Sequence, residues 1–317
     1  MKIAIATVVS AAALAVLAGP AAAGEPEVEI RNAVARVSVI VEDRADVAVE
    51  VQRGRATLPA IQVSRHGNEV RIDGGLGGRR QGRLFSGLSN RIRECHSGRG
   101  DGLPGEGAWV QVRDIGRVDL ADAPLIIIRT PRRVDVSAEG AVFGAIGRGA
   151  RSVDLANGGC GRWDVANVDG AVSLSLGGSG DIRAGNAREL DIAIGGSGSV
   201  AAGTSNALDI SIGGSGSVRA GATRRLEVAI GGSGDVAVAR LDGDLDVAIG
   251  GSGDVDVRGG SAPKVDVAVA GSGDVRFRGT AGDVDVTVMG SGDVTIDRAT
   301  GSVSRQVAGG GDVHIGH

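Results

Sequence analysis

Apolar and polar residues alternate along most of this chain, and the alternation restarts at a nearly fixed interval. The clearest copies are LDIAIGGSGSV (190–200), LDISIGGSGSV (208–218), LEVAIGGSGDV (226–236) and LDVAIGGSGDV (245–255). Later copies drift to VDVAVAGSGDV (265–275), VDVTVMGSGDV (284–294) and RQVAGGGDV (305–313). The central serines fall at Ser179, Ser197, Ser215, Ser233, Ser252, Ser272 and Ser291, and Gly310 takes the next place, giving steps of 18, 18, 18, 19, 20, 19 and 19. A period near 20 that tolerates one-residue slips is the mark of a solenoid.

In one copy, Leu190, Ile192 and Ile194 alternate with Asp191 and Ala193, the period of a half-buried strand. Gly195, Gly196 and Gly198 surround Ser197, and the expectation is that glycine supplies a positive φ for a tight corner there. A second strand follows, with Val236/Val238, Val255/Val257, Val275/Phe277 and Val294/Ile296 pointing in, and another corner comes at Gly203, Gly221, Gly243 and Gly259/Gly260. Such a unit has no internal partner for its backbone donors and must pair with the copies above and below. The predicted fold is therefore all-β, a single-stranded parallel β-helix with coils of 18–20 residues, right-handed by the general preference for parallel connections. Its interior would be narrow and aliphatic, in keeping with 2% aromatic residues and no Tyr. Propeller blades need roughly 40–50 residues, and glycine is not at every third place as collagen requires.

Taken in order, residues 1–23 read as a secretory signal peptide: Lys2, an apolar run, and Ala21-Ala22-Ala23 as a cleavage site. No later stretch is apolar enough to cross a bilayer as a helix, so the expectation is an exported chain with no transmembrane segment, in the periplasm, on the outer surface or secreted. Residues 24–73 alternate without the GSG phrase and read as opening coils that cap the rod, with a hairpin at Arg65-His66-Gly67-Asn68. Residues 74–107 are a Gly/Arg-rich insertion, read as a loop. From 108 to 317 the coils are expected to resume, with Val110–Val112, Leu125–Ile128 and Val134–Val136 as strands. Stepping back from Ser179 by 18 or 19 lands on Cys160, Ala141 and Ala123, so Asn157-Gly158-Gly159-Cys160-Gly161 reads as a degenerate corner and the stack is expected to start before residue 123.

This order of parts resembles the bacterial adhesin family with a head GIN domain. The resemblance rests on the leader, the alternating Val37–Val51 opening closed by Asn68-Glu69-Val70-Arg71-Ile72, the segment Leu125–Pro131, and the serial GSGD and GSGS corners, and it covers roughly residues 27–316. It implies a parallel β-helical fold at the cell envelope and raises the case for binding. The Arg-rich insertion and the two cysteines depart from the pattern. Only five residues follow Asp312, and the expectation from this is that the chain carries no C-terminal membrane barrel and does not export itself.

The candidate chemistry is sparse. Arg79, Arg80, Arg83, Arg91 and Arg93 make the insertion basic, either as a solvated excursion or as a contact for anions and acidic polysaccharide. Cys95 and Cys160 are the only cysteines; in an oxidising compartment they can form one bridge, the alternative being two separate thiols. Asp235, Asp254, Asp274 and Asp293 follow the corners, and Asp191, Asp209, Glu227 and Asp246 leave the first strand. Stacked carboxylates repel, which calcium would relieve; the alternative is that hydroxyls and corner N–H groups satisfy them. Arg99-Gly100-Asp101 is a tripeptide that such composition produces by chance, and His66, His96, His314 and His317 lack metal-ligand spacing.

A net charge of −4 and the lack of stacking aromatics disfavour nucleic acid. Three functions stay open: an exported envelope module that binds or builds, without catalysis or cofactor; a polysaccharide-active β-helix enzyme; and a calcium-stabilised or plain spacer rod. A specific site must come from what is not repeated.

Overall fold

A computed structural model describes residues 25–77, 91–98 and 104–316. The signal-peptide reading of 1–23 lies outside the described residues. The N-terminal elements are β1 (Glu27–Val41), β2 (Ala48–Gln52), β3 (Gln62–His66), β4 (Glu69–Asp73), β5 (Ile92–His96), β6 (Trp109–Val112), β7 (Gly116–Asp119), β8 (Leu125–Thr130) and β9 (Arg133–Ile146). Beyond β9, paired short strands follow to Ile315.

From residue 133 onward each coil lies in parallel register on its neighbours. Leu155, Leu174, Ile192, Ile210, Val228, Val247, Val267 and Val286 form one inward column. Val200, Val218, Val236, Val255, Val275 and Val294 form another, on the second face. A third side is lined by Val168, Thr223, Leu241, Ala262 and Ala281, all buried. Burying an aliphatic of this size contributes about 1.5–3 kcal/mol, and repetition makes the core continuous. Ser205 and Thr223 interrupt the third side, and there Ser205 Oγ donates to Thr223 Oγ1 at 3.2 Å, which donates in turn to the Arg225 carbonyl at 2.9 Å. The chain is thus a β-solenoid of parallel stacked coils.

The corner glycines work differently from the expectation. None in the GGSG copies has a positive φ. What they avoid is a Cβ: one on Gly232 would collide with the Gly214 carbonyl of the coil below, and one on Gly234 with the Gly216 carbonyl. The first glycine of the phrase is different, since a Cβ on Gly195 or Gly213 meets nothing within 4 Å. That is why Ala270 and Met289 can replace it in later copies while the second and third glycines persist.

The N-terminal end departs from a simple stack. The layer beneath β9 is β1, with Val28 opposite Val136 and Val39 opposite Ile146. Beneath β1 lie β4 and β8, which share one layer. The next antiparallel strands cover that layer: β2 lies on β8 and β3 on β4, joined to β4 through a turn with Gly67 at φ 62°. Covering the end with strands of opposite direction blunts an edge that would otherwise template another coil. Asn32, at φ 50°, turns the corner of β1, a conformation that asparagine tolerates.

Two sequence expectations change here. The coil does not resume at Trp109, because β6 and β7 belong with β5 to a separate three-stranded antiparallel sheet. Nor is Ala123 a corner below Ala141: the residue paired with Ala141 is Val34. The repeat interval cannot reveal that a strand over a hundred residues earlier has taken the vacant layer.

Candidate functional site

The non-repeated stretch is a small folded subdomain on the flank of the opening coils. Its inner side brings Leu76, Ala108, Val110, Val112, Val118 and Leu120 against Val34, Ala141 and Phe143 of β1 and β9. These last three point away from the solenoid core, so the rod here offers a second apolar surface that the subdomain covers. The turn between β6 and β7 places Asp114 at φ 66° and Gly116 at φ 98°. A disulfide joins Cys95 on β5 to Cys160, with the Cα atoms 6.1 Å apart. Cys160 sits at a corner braced by buried Asn157, whose side-chain N–H donates to the Gly161 carbonyl at 3.0 Å and whose oxygen accepts from the Gly159 N–H at 3.3 Å.

Of the arginine candidates, Arg79, Arg80 and Arg83 lie outside the described residues, as does Arg99-Gly100-Asp101. Arg91 and Arg93 are described. Arg91 is half-buried just before β5, its carbonyl accepting from the Arg113 N–H at 2.7 Å, and Arg93 is exposed on β5.

The acidic ladder that follows the corners is satisfied along the rod. Asp235, Asp254, Asp274 and Asp293 each accept, through Oδ1, the backbone N–H of the aspartate one coil on, at 3.2, 2.8, 2.8 and 2.8 Å. Asp283 is held below its ordinary pKa by the Ser302 hydroxyl and N–H. Among the described residues no three acidic, histidine or cysteine side chains converge as a metal site requires.

A second acidic region lies on the outer face of β9 and the coils stacked on it. Glu25, Asp135, Asp154 and Asp191 line a shallow cleft of about 230 Å³, with Arg133 paired to Glu25 at 2.5 Å. Burial, and then the neighbouring Asp154, push Asp135 up to about 6. Further along the same face, Ala229, Ala248 and Ala268 form a flat apolar strip that ends at Met289, 61% exposed.

A family model described as "Putative auto-transporter adhesin, head GIN domain" matches residues 28–260 and 240–316. The chain belongs to this family. Neither a curated protein nor a solved structure matches it. The adhesin family's description points to an adhesin-like, exported protein, and among the described residues no helix is long and apolar enough to cross a membrane.

The first family match runs through the subdomain, which carries features the sequence reading missed. Trp109 stacks on His96, ring centroids 5.6 Å apart and planes 18° from parallel, and the Arg117 guanidinium carbon lies 4.7 Å from the Trp109 ring centre. The signal was present in the alternation Trp109-Val110-Gln111-Val112 followed by the turn Asp114–Gly116; taking these as a coil strand hid the antiparallel pairing. Arg162, 2% exposed, was also missed. It lies 3.6 Å from Asp164, whose carboxyl burial pushes up despite the guanidinium.

Proposed function

We propose that this adhesin-family chain is an exported, non-catalytic envelope module that binds acidic polysaccharide through the subdomain on its flank. The observation that carries the reading is the subdomain itself: a folded, disulfide-joined unit standing on a rod whose other coils present nearly the same surface. Arg91 and Arg93 lie on or beside its leading strand, and arginine forks suit carboxylate and sulfate groups. Arg79, Arg80 and Arg83 belong to the same stretch of sequence.

The test is binding of the mature protein to uronate oligomers and to whole envelope fractions. Replacing the five arginines by alanine should weaken binding at least tenfold with an unchanged melting temperature. Unchanged binding would leave the rod as a spacer. A second reading, polysaccharide cleavage, has the Asp135–Asp154 neighbourhood behind it, because two neighbouring carboxyl groups, with Asp135 pushed up to about 6, suit glycoside hydrolysis. Release of reducing ends that is lost in Asp135→Asn would favour it.

A further inference from the structure

The His96–Trp109–Arg117 row has no part in the subdomain's core, which Val110, Val112 and Val118 fill from the other side of the same strands. Strand register places His96, Trp109 and Asp119 side by side across β5, β6 and β7, and Gln111 opposite both Glu94 and Arg117. The chain holds two tryptophans: Trp163 is fully buried, and Trp109 is partly buried. A centroid separation of 5.6 Å exceeds the roughly 3.5–4 Å of atoms in direct contact. The imidazole and indole are therefore slid past each other into a step two strands wide. Arg117 donates through Nε and Nη2 to Asp119 Oδ1, both at 3.0 Å, which fixes the guanidinium over the ring.

Next to the indole the charges cancel: Arg117 is paired with Asp119, and Glu94 stands opposite Gln111. A carboxylate or sulfate would meet as much repulsion as attraction. A hydroxylated ring fits better, since each hydroxyl both donates and accepts and finds Arg117 and Gln111 as donors and Asp119, Glu94 and Gln111 as acceptors. Its C–H edge would rest on the part of the indole that His96 and Arg117 leave open, the mix of an apolar platform and a few placed polar groups typical of small-ligand sites. Because cross-strand neighbours already hold the ring, little rotamer freedom is lost on binding.

We propose that this row binds an uncharged pyranose ring. The inference rests on the glycan-binding reading above and assigns it a second contact, distinct from the five arginines of that reading.

The experiment uses the mature protein with three neutral hexamers, of β-1,4-glucose, β-1,4-N-acetylglucosamine and β-1,4-mannose, beside a uronate hexamer. Iodide quenching of tryptophan fluorescence reports Trp109, since Trp163 is sealed. At least one neutral hexamer should protect Trp109 from iodide, and Trp109→Ala or Gln111→Ala should weaken its binding tenfold or more. Trp109→Ala should leave arginine-dependent uronate binding intact, and thiol titration should show the Cys95–Cys160 bridge still formed. Failure of all three neutral hexamers to bind the parent at millimolar concentration overturns the inference, as does parental affinity in both variants. If uronate binding survives that failure, the proposed function stands without this contact; if the parent binds no glycan or envelope fraction, both fall.

Discussion

Arg305 stands in register with Val286, at the place where the preceding coils send an aliphatic side chain into the core. The strand Val303–Val307 is exposed along its whole length. An inward-pointing charge on a terminal strand makes further stacking costly, because the next coil would bury it. The two ends are thus closed by different means: antiparallel strands at one, a misplaced guanidinium at the other. Arg305→Val should raise the apparent mass in light scattering at high protein concentration, while Arg305→Lys should match the parent.

Asp274 accepts the Asp293 N–H, so its carboxylate works as a rung between coils. Asp274→Ala should cost about 1 kcal/mol in denaturant unfolding, the net worth of one such bond. Asp274→Asn, which keeps an acceptor oxygen and removes a charge from the ladder, should cost less. Chelator should leave the melting temperature of the parent unchanged; a fall of several degrees would point to calcium bound by the native state.

Asp135 sets a pH dependence. Its folded pKa is about 6 against an ordinary 3.8, so between these values the native state holds more protons than the unfolded chain. Stability from this group is full below about pH 4 and is lost as pH rises through 6. Because the carboxyl is partly open to solvent, the effect is discounted to about 1 kcal/mol. Asp135→Asn should raise stability at pH 7 by that amount and flatten the melting profile between pH 4 and 6.

The Cys95–Cys160 bridge spans a sequence separation of 65, and the chain-entropy model assigns about 4 kcal/mol to closing such a loop. The two residues belong to different units, so the loss on reduction should be local. Hydrogen exchange after reduction should speed up in β5–β7 and leave the strands beyond residue 170 protected.

Much of this was legible because a period of 18–20 residues and alternating polarity leave few options. The inward sets around Ile192, Ile210 and Val236 follow directly from that alternation. The glycine rule was legible in position but not in cause. Gly232 looks like a turn residue, and only the stacked coil beneath it shows that the missing Cβ is what matters. The subdomain was harder to see. Trp109-Val110-Gln111-Val112 has the polarity of a coil strand, and nothing local states which sheet it joins. Pairing over long separation, as between Val28 and Val136, leaves no periodic trace either.

The position of β1 bears on how the molecule is made. Repeat coils find their partners within about twenty residues and can zip as soon as they emerge, the local contacts that favour fast folding. β1 cannot. Its neighbours β4, β8 and β9 lie about forty, about ninety and about a hundred and seven residues downstream, so a chain appearing N-terminus first must leave one edge of β1 open until β9 has followed. The first strand to be released is among the last to be enclosed. Cutting it away would not fray the rod's tip but would open a slot inside it, between the capped layer and every coil that follows.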